Sequence, residues 1–262
     1  MPLFWVLLLA LVQGLTEFLP VSSSAHLAIL GALSGISEGD AFVFFLVLHG
    51  GTLLATLLFF RRDLLAFAGG LLGRDPAGLR ALFLVLLSAV PTAVLGLSLK
   101  GPVERAFSSP ALAGLLLFVT AGLLLWSNRF PQGARSLKDL SWKDALWIGT
   151  AQGLAVFPGI SRSGATLVTA LRRGLAPAEA FRFSFLCSLP AVGGAFLLEG
   201  RKAFDAANPH ILDDGLGFAV AFFSGLAALA LLRGAVERGR LGRFALWCAA
   251  AGTAGILVGL AR

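Results

Sequence analysis

The sequence predicts an all-α polytopic membrane protein, with six transmembrane helices plus two re-entrant helix-loop-helix hairpins in an inverted repeat. Three observations lead there: a shortage of charge, a regular series of apolar runs, and two interrupted runs that resemble each other. Of 262 residues, 57% are hydrophobic and 13% charged, and the mean hydropathy is +0.87. A soluble domain carries about a quarter charged residues, so water is not this chain's only solvent.

The apolar runs follow in order. Residues 41–60, 79–99, 111–127, 182–198, 216–232 and 244–260 each come close to the ~20 residues that cross the hydrocarbon. Residues 3–33 and 142–171 are also apolar, but Pro, Gly and hydroxyl clusters break them midway. Non-helical backbone at membrane depth survives only where protein or a wet cavity surrounds it. These two stretches are therefore expected to enter and leave by the same face.

Charge placement agrees with that layout. With the N-terminus outside, five basic residues face outward (Lys100, Arg105, Arg201, Lys202, Arg262) and Arg162 lies in the second break, leaving fifteen of the 21 Lys and Arg on the cytoplasmic side. This is the positive-inside asymmetry. It also accounts for the net charge of +7 without a nucleic-acid partner, because the basic residues form no stripe. Cys187 and Cys248 sit in separate apolar runs and read as small core residues rather than a disulfide or redox pair. No basic region precedes the first apolar stretch, so that stretch is expected to remain in the mature protein.

The two breaks align without a gap. Gln13 to His26 (QGLTEFLPVSSSAH) lies over Gln152 to Ala165 (QGLAVFPGISRSGA), and six of the fourteen positions are identical. Phe44 with Phe183, Leu58 with Leu197 and Arg62 with Arg201 keep the same offset. The chain is thus one membrane domain, 1–262, with repeats at about 1–133 and 141–262. Three crossings per repeat invert the second copy, and such repeats meet at a site near the midplane.

Chemistry is expected where the copies differ. Glu17 stands against Val156, Ser23 against Arg162 and His26 against Ala165. Ionisable groups at membrane depth are costly and mark function. Gln13 lies one helical turn before Glu17, so the pair offers oxygen ligands to a hard divalent cation or acceptors for a proton. His26 is a candidate acid, base or nucleophile. Ser22 and Ser24 recur as Ser161 and Ser163 and read as shared helix caps, which leaves Ser23 as the nucleophile candidate. In the second break, Arg162 with Ser161, Ser163, Gly164 and Thr166 at a helix start favours a phosphate. No nucleotide-binding loop and no zinc spacing occurs. Together these residues point to phosphoryl transfer on a lipid.

EFLPVSSSAH (Glu17–His26) and PGISRSGAT (Pro158–Thr166) resemble the motifs of the undecaprenyl-diphosphate phosphatase family of the bacitracin-resistance type, and the resemblance covers the whole chain. It implies a multi-pass inner-membrane hydrolase with its site toward the periplasm. Such an enzyme converts undecaprenyl diphosphate to the monophosphate carrier used in peptidoglycan synthesis and confers bacitracin resistance. The family depends on a divalent cation, Mg2+ or Ca2+, which here implies Glu17 and Gln13 as ligands, although the family's acidic motif also has a double-Glu form. The expected catalytic set is Glu17, Ser23, His26 and Arg162, with Ser22, Ser161, Ser163, Gly164 and Thr166 on the phosphates. Ser23 attacks with His26 as base, or His26 attacks directly or activates water; the sequence leaves this open. Expected partners are the lipid substrate, membrane lipids and a second copy in a homodimer. The competing readings are an inverted-repeat transporter or lipid flippase, and the membrane phosphatases with a PSGH motif, of which Ser24-Ala25-His26 is only a fragment.

Overall fold

The computed structural model describes residues 1–36, 38–204 and 211–261. His210 and Arg262 lie outside the described residues, as do the side chains of Arg201 and Lys202. Thirteen α-helices occur among the described residues: α1 Leu3–Phe18, α2 Ser23–Ser34, α3 Glu38–Phe59, α4 Arg61–Leu71, α5 Pro76–Ser98, α6 Lys100–Phe107, α7 Pro110–Ser127, α8 Trp142–Leu154, α9 Arg162–Arg172, α10 Pro177–Leu186, α11 Ser188–Phe204, α12 Ile211–Glu237 and α13 Phe244–Leu260. Six stretches among the described residues are long and apolar enough to cross a membrane: Ala41–Phe59, Pro76–Ser98, Pro110–Ser127, Pro177–Leu198, Ile211–Glu237 and Leu241–Leu260.

Local chemistry sets these ends. Pro76, Pro110 and Pro177 each open a helix, where a missing N–H costs nothing. The crossing expected from residue 182 therefore begins at Pro177. It is interrupted at Cys187, between α10 and α11, because the ring of Pro190 conflicts with the carbonyl four residues earlier, at Leu186.

Two helices fall where the sequence suggests loops. α4 leaves the end of α3 with Asp63 and Phe67 buried and Arg61, Arg62 and Leu65 outward. Asp63 pairs with Arg182 of α10. α6 is a short polar helix between α5 and α7. Both are amphipathic over too few residues for apolar run length to reveal them.

α1 packs along α12, α8 along α5, and α7 along α13, while α3 also lies on α12. In a bilayer, close helix approach depends on small residues. At Gly114 of α7 an added Cβ would stand 2.5 Å from the Gly252 carbonyl oxygen of α13. Large apolar side chains such as Phe83, Leu97, Leu197 and Leu246 remain exposed, as lipid-facing positions do.

The helix breaks fall at Leu19–Ser22 and Ala155–Ser161, and side chains of the first break and of α7 satisfy the backbone of the second. Gly159 N–H donates to Ser22 Oγ at 3.0 Å. Thr120 Oγ1 of α7 donates to the Gly159 carbonyl at 2.6 Å and accepts from Ser161 N–H at 2.9 Å. A buried backbone group without a partner is costly, and these bonds supply partners to three such groups of the second break. Gly159 has φ +105, and a Cβ there would stand 2.3 Å from the Ala113 carbonyl oxygen; only glycine fits.

Near the start of α8 a second polar cluster ties loops together. Asp144 accepts from Arg135 Nη2 at 2.8 Å, Arg173 Nε at 2.5 Å, and the Ser141 N–H and hydroxyl at 2.9 and 2.8 Å. Burial disfavours its charge, but the Arg135, Ser141 and Arg173 donors outweigh that and hold the carboxyl well below the usual carboxylate range. A depressed folded pKa means that the unfolded chain binds the proton first. This stabilisation is full above the unfolded value of about 4 and is lost as pH falls through the folded pKa. Asp144→Asn is expected to destabilise the protein by about 3 kcal/mol at pH 7. Its melting temperature in detergent should then decline less between pH 5 and pH 3 than that of the wild type.

Candidate active site

Gln13 and Glu17 occupy the last two turns of α1, and Arg162 is the first residue of α9. Each charge alone stands at the wrong end of its helix dipole, an acid at a C-terminus and a base at an N-terminus. Together they cancel, because Arg162 Nη2 donates to Glu17 Oε1. The Glu17 side chain is 7% exposed and that of Arg162 28%, so the pair is shielded but reachable.

The other carboxylate oxygen collects three more neighbours. Ser23 Oγ donates to Glu17 Oε2 at 2.6 Å, and Gln13 Nε2 donates to it at 3.1 Å. His49 Nε2 of α3 stands 3.8 Å away. Glu17 and Arg162 line a cleft together with Phe18, Thr52, Leu53, Thr56, Phe185, Ser188, Leu189 and Val192. A charged pair beside apolar side chains in one cleft suits an amphiphile with an anionic head.

The remaining expected site residues lie close by but are engaged in the scaffold. Ser161 caps α9, accepting from Gly164 N–H at 3.1 Å, and its Oγ is 3.2 Å from Ser163 Oγ. Thr166 Oγ1 returns to the Arg162 and Ser163 carbonyls at 3.0 and 3.3 Å. Ser22 occupies the N-cap position of α2 without a side-chain cap bond. Its φ is +65, and it alone among the described non-glycine residues has a positive φ. Its hydroxyl bridges to Gly159 instead, as given above.

His26 is set apart. Its Nδ1 lies 2.8 Å from the Ser22 carbonyl, and its Nε2 accepts from the Trp247 indole N–H at 2.9 Å. A carbonyl only accepts, so Nδ1 carries the proton and both ring nitrogens are in use. No hydrogen bond joins His26 to Ser23 or Glu17 among those described. His49 is the histidine beside the carboxylate, and the sequence reading passed over it as a residue of a crossing. The signal available was an ionisable side chain inside an apolar run, three residues before Thr52 and so on the same helix face.

A divalent cation is implied by the family resemblance. Among the described residues no group of three or more His, Cys, Asp or Glu could hold one. Glu17 is the single carboxylate here, and the Oε1 of fully buried Gln13 has no hydrogen-bond partner. A carboxylate beside an unpartnered buried amide oxygen is the hard-oxygen chemistry that Mg2+ or Ca2+ takes.

Fold and site together define a polytopic helical membrane protein with an acid, a hydroxyl and a guanidinium gathered at two facing helix breaks. The family model for bacitracin resistance protein BacA matches residues 6–254. Similar proteins include the undecaprenyl-diphosphatase of Desulfosudis oleivorans, 44% identical with 96% of this chain and 97% of the relative covered. That of Korarchaeum cryptofilum is 42% identical with 95% and 96% covered, and that of Methanosphaera stadtmanae 37% identical with 96% of each. The chain belongs to the BacA family.

Trp247→Phe removes the donor to His26 while keeping an aromatic ring. It is expected to lower stability by about 1 kcal/mol and to leave turnover within about threefold, read by thermal unfolding beside a phosphate-release assay.

Proposed function

We propose that this chain hydrolyses undecaprenyl diphosphate to undecaprenyl phosphate and inorganic phosphate. The reaction returns the lipid carrier to peptidoglycan synthesis and confers bacitracin resistance. The observation that carries this reading is the unbroken chain Ser23–Glu17–Arg162, in which a hydroxyl proton already faces a carboxylate and the carboxylate faces a guanidinium.

Arg162, with the first-turn amides of α9, binds the terminal phosphoryl group and stabilises its charge in the transition state. As the phosphate takes Arg162, Glu17 is freed from that partner. Ser23 Oγ then bonds to the terminal phosphorus, its proton passes to Glu17 Oε2, and the bridging P–O bond breaks so that undecaprenyl phosphate leaves. Glu17 thus takes the base role expected of His26, which instead fixes the Ser22 turn. Glu17 and Gln13 Oε1 would hold a divalent cation, whose chemistry is to neutralise charge across the two phosphates. Ser22, Ser161, Ser163, Gly164 and Thr166 shape the phosphate-facing turns, and the apolar side chains of the cleft, among them Phe18, Leu53, Phe185 and Leu189, receive the prenyl chain.

The same reading makes α1–α2 and α8–α9 re-entrant hairpins of an inverted repeat, with the protein multi-pass in the plasma membrane and the cleft toward the outside. The exchange of partners supports it: α1 packs on α12 as α8 packs on α5, while α7 and α13 pack on each other. A homodimer remains part of the proposal only as an expectation from the family resemblance.

Purified protein in detergent should release phosphate from undecaprenyl diphosphate and lose that activity with chelator. Glu17→Gln and Arg162→Lys are each expected to cut kcat/KM by about 10^3-fold. Lipid translocation in vesicles without phosphate release would instead establish the flippase reading. Ser23→Ala should abolish turnover, and a variant with substantial activity would exclude Ser23 as the attacking group.

A further inference from the structure

His49 is an ionisable side chain next to Glu17 that the mechanism above leaves without a task. It projects from the middle of α3, nine residues in from Asp40, on the same helix face as Thr52 and Thr56, which line the cleft. Its ring is fixed: Nδ1 lies 2.8 Å from the Phe45 carbonyl, one turn back, and since a carbonyl only accepts, Nδ1 carries the hydrogen in the neutral ring. Nε2 is then a hydrogen-bond acceptor. It faces Glu17 Oε2 at 3.8 Å, and that oxygen is an acceptor too. The gap is wider than a direct hydrogen bond and is one that a water molecule can bridge. The ring is also more open than its neighbours, at 37% side-chain exposure against 7% for Glu17.

We propose that His49 Nε2 accepts a hydrogen bond from, and so places beside Glu17, the water that hydrolyses a phosphoserine formed at Ser23. The proposal rests on the phosphatase reading with Ser23 as the attacking group. The water oxygen bonds to phosphorus as the bond from phosphorus to Ser23 Oγ breaks. The proton that Glu17 took from Ser23 in the first half of the reaction returns to Oγ, while the water keeps one proton as the phosphate hydroxyl and gives the other to solvent. Inorganic phosphate leaves, and Glu17 is again a carboxylate. His49 orients the water and takes no proton itself. His26 cannot substitute, because the Trp247 N–H occupies its Nε2.

The first half of the reaction does not need this water, so loss of His49 should slow the second half alone. The test is rapid-quench kinetics of the full-length protein with undecaprenyl diphosphate labelled at the terminal phosphate. His49→Leu should release about one undecaprenyl phosphate per enzyme at the wild-type rate, then turn over about 10^2-fold more slowly, with label bound covalently to the protein. His49→Gln, whose amide oxygen can accept from the water, should recover at least about tenfold of that loss. His49→Phe keeps the ring volume and carries the same expectation where leucine is not tolerated. A His49→Leu enzyme at the wild-type steady rate, or a slow one with neither burst nor label, overturns the proposal. Absence of phosphate release by the wild-type protein would instead defeat the phosphatase reading itself.

Discussion

The ion pair between Glu17 and Arg162 is the constraint to which the rest of the architecture answers. A carboxylate or a guanidinium at membrane depth is tolerated only with partners, and each of these stands at the helix end that its charge disfavours. They come from helices 145 residues apart in sequence. Bringing them together requires that the end of α1 and the start of α9 face each other inside the bundle.

Ending a helix inside the bundle leaves backbone groups that must find other partners. The structure meets this through a few side chains. The Ser22 hydroxyl takes the Gly159 N–H, and Thr120 serves both a carbonyl and an amide of the second break. Ser22 adopts a positive φ to do so. Backbone strain of this kind is retained where surrounding contacts over-determine it, and here it places Ser23 against the carboxylate. The rigidity of the site thus comes from the same bonds that make the breaks possible.

Much of this was legible in the chain. Crossings follow from run length, and the Pro- and Ser-containing breaks were visible as interruptions. That Gln13, Glu17, Ser23 and Arg162 come together follows from aligning the two breaks and asking where they differ. The surface helix α4 was not legible, since Arg61 and Arg62 read as a loop when only apolar length is considered. Ser22 does hold the cap position that its place in the sequence suggests, but it makes no capping bond, because its hydroxyl is claimed by a glycine from the other half of the chain.

The sequence by itself determined that the chain lives in a bilayer, where its helices break, and which few charges lie at those breaks. These are local properties of run length, breaker residues and charge. Only the tertiary structure decided which histidine meets the carboxylate. His26 lies beside Glu17 in sequence, yet the rotation of α2 turns its ring to Trp247 of α13. His49, in a different helix, has its ring turned by the Phe45 carbonyl toward Glu17. Which face of a helix meets which neighbour depends on packing across the whole bundle, and a hydrogen bond reaches only as far as that packing brings its two ends.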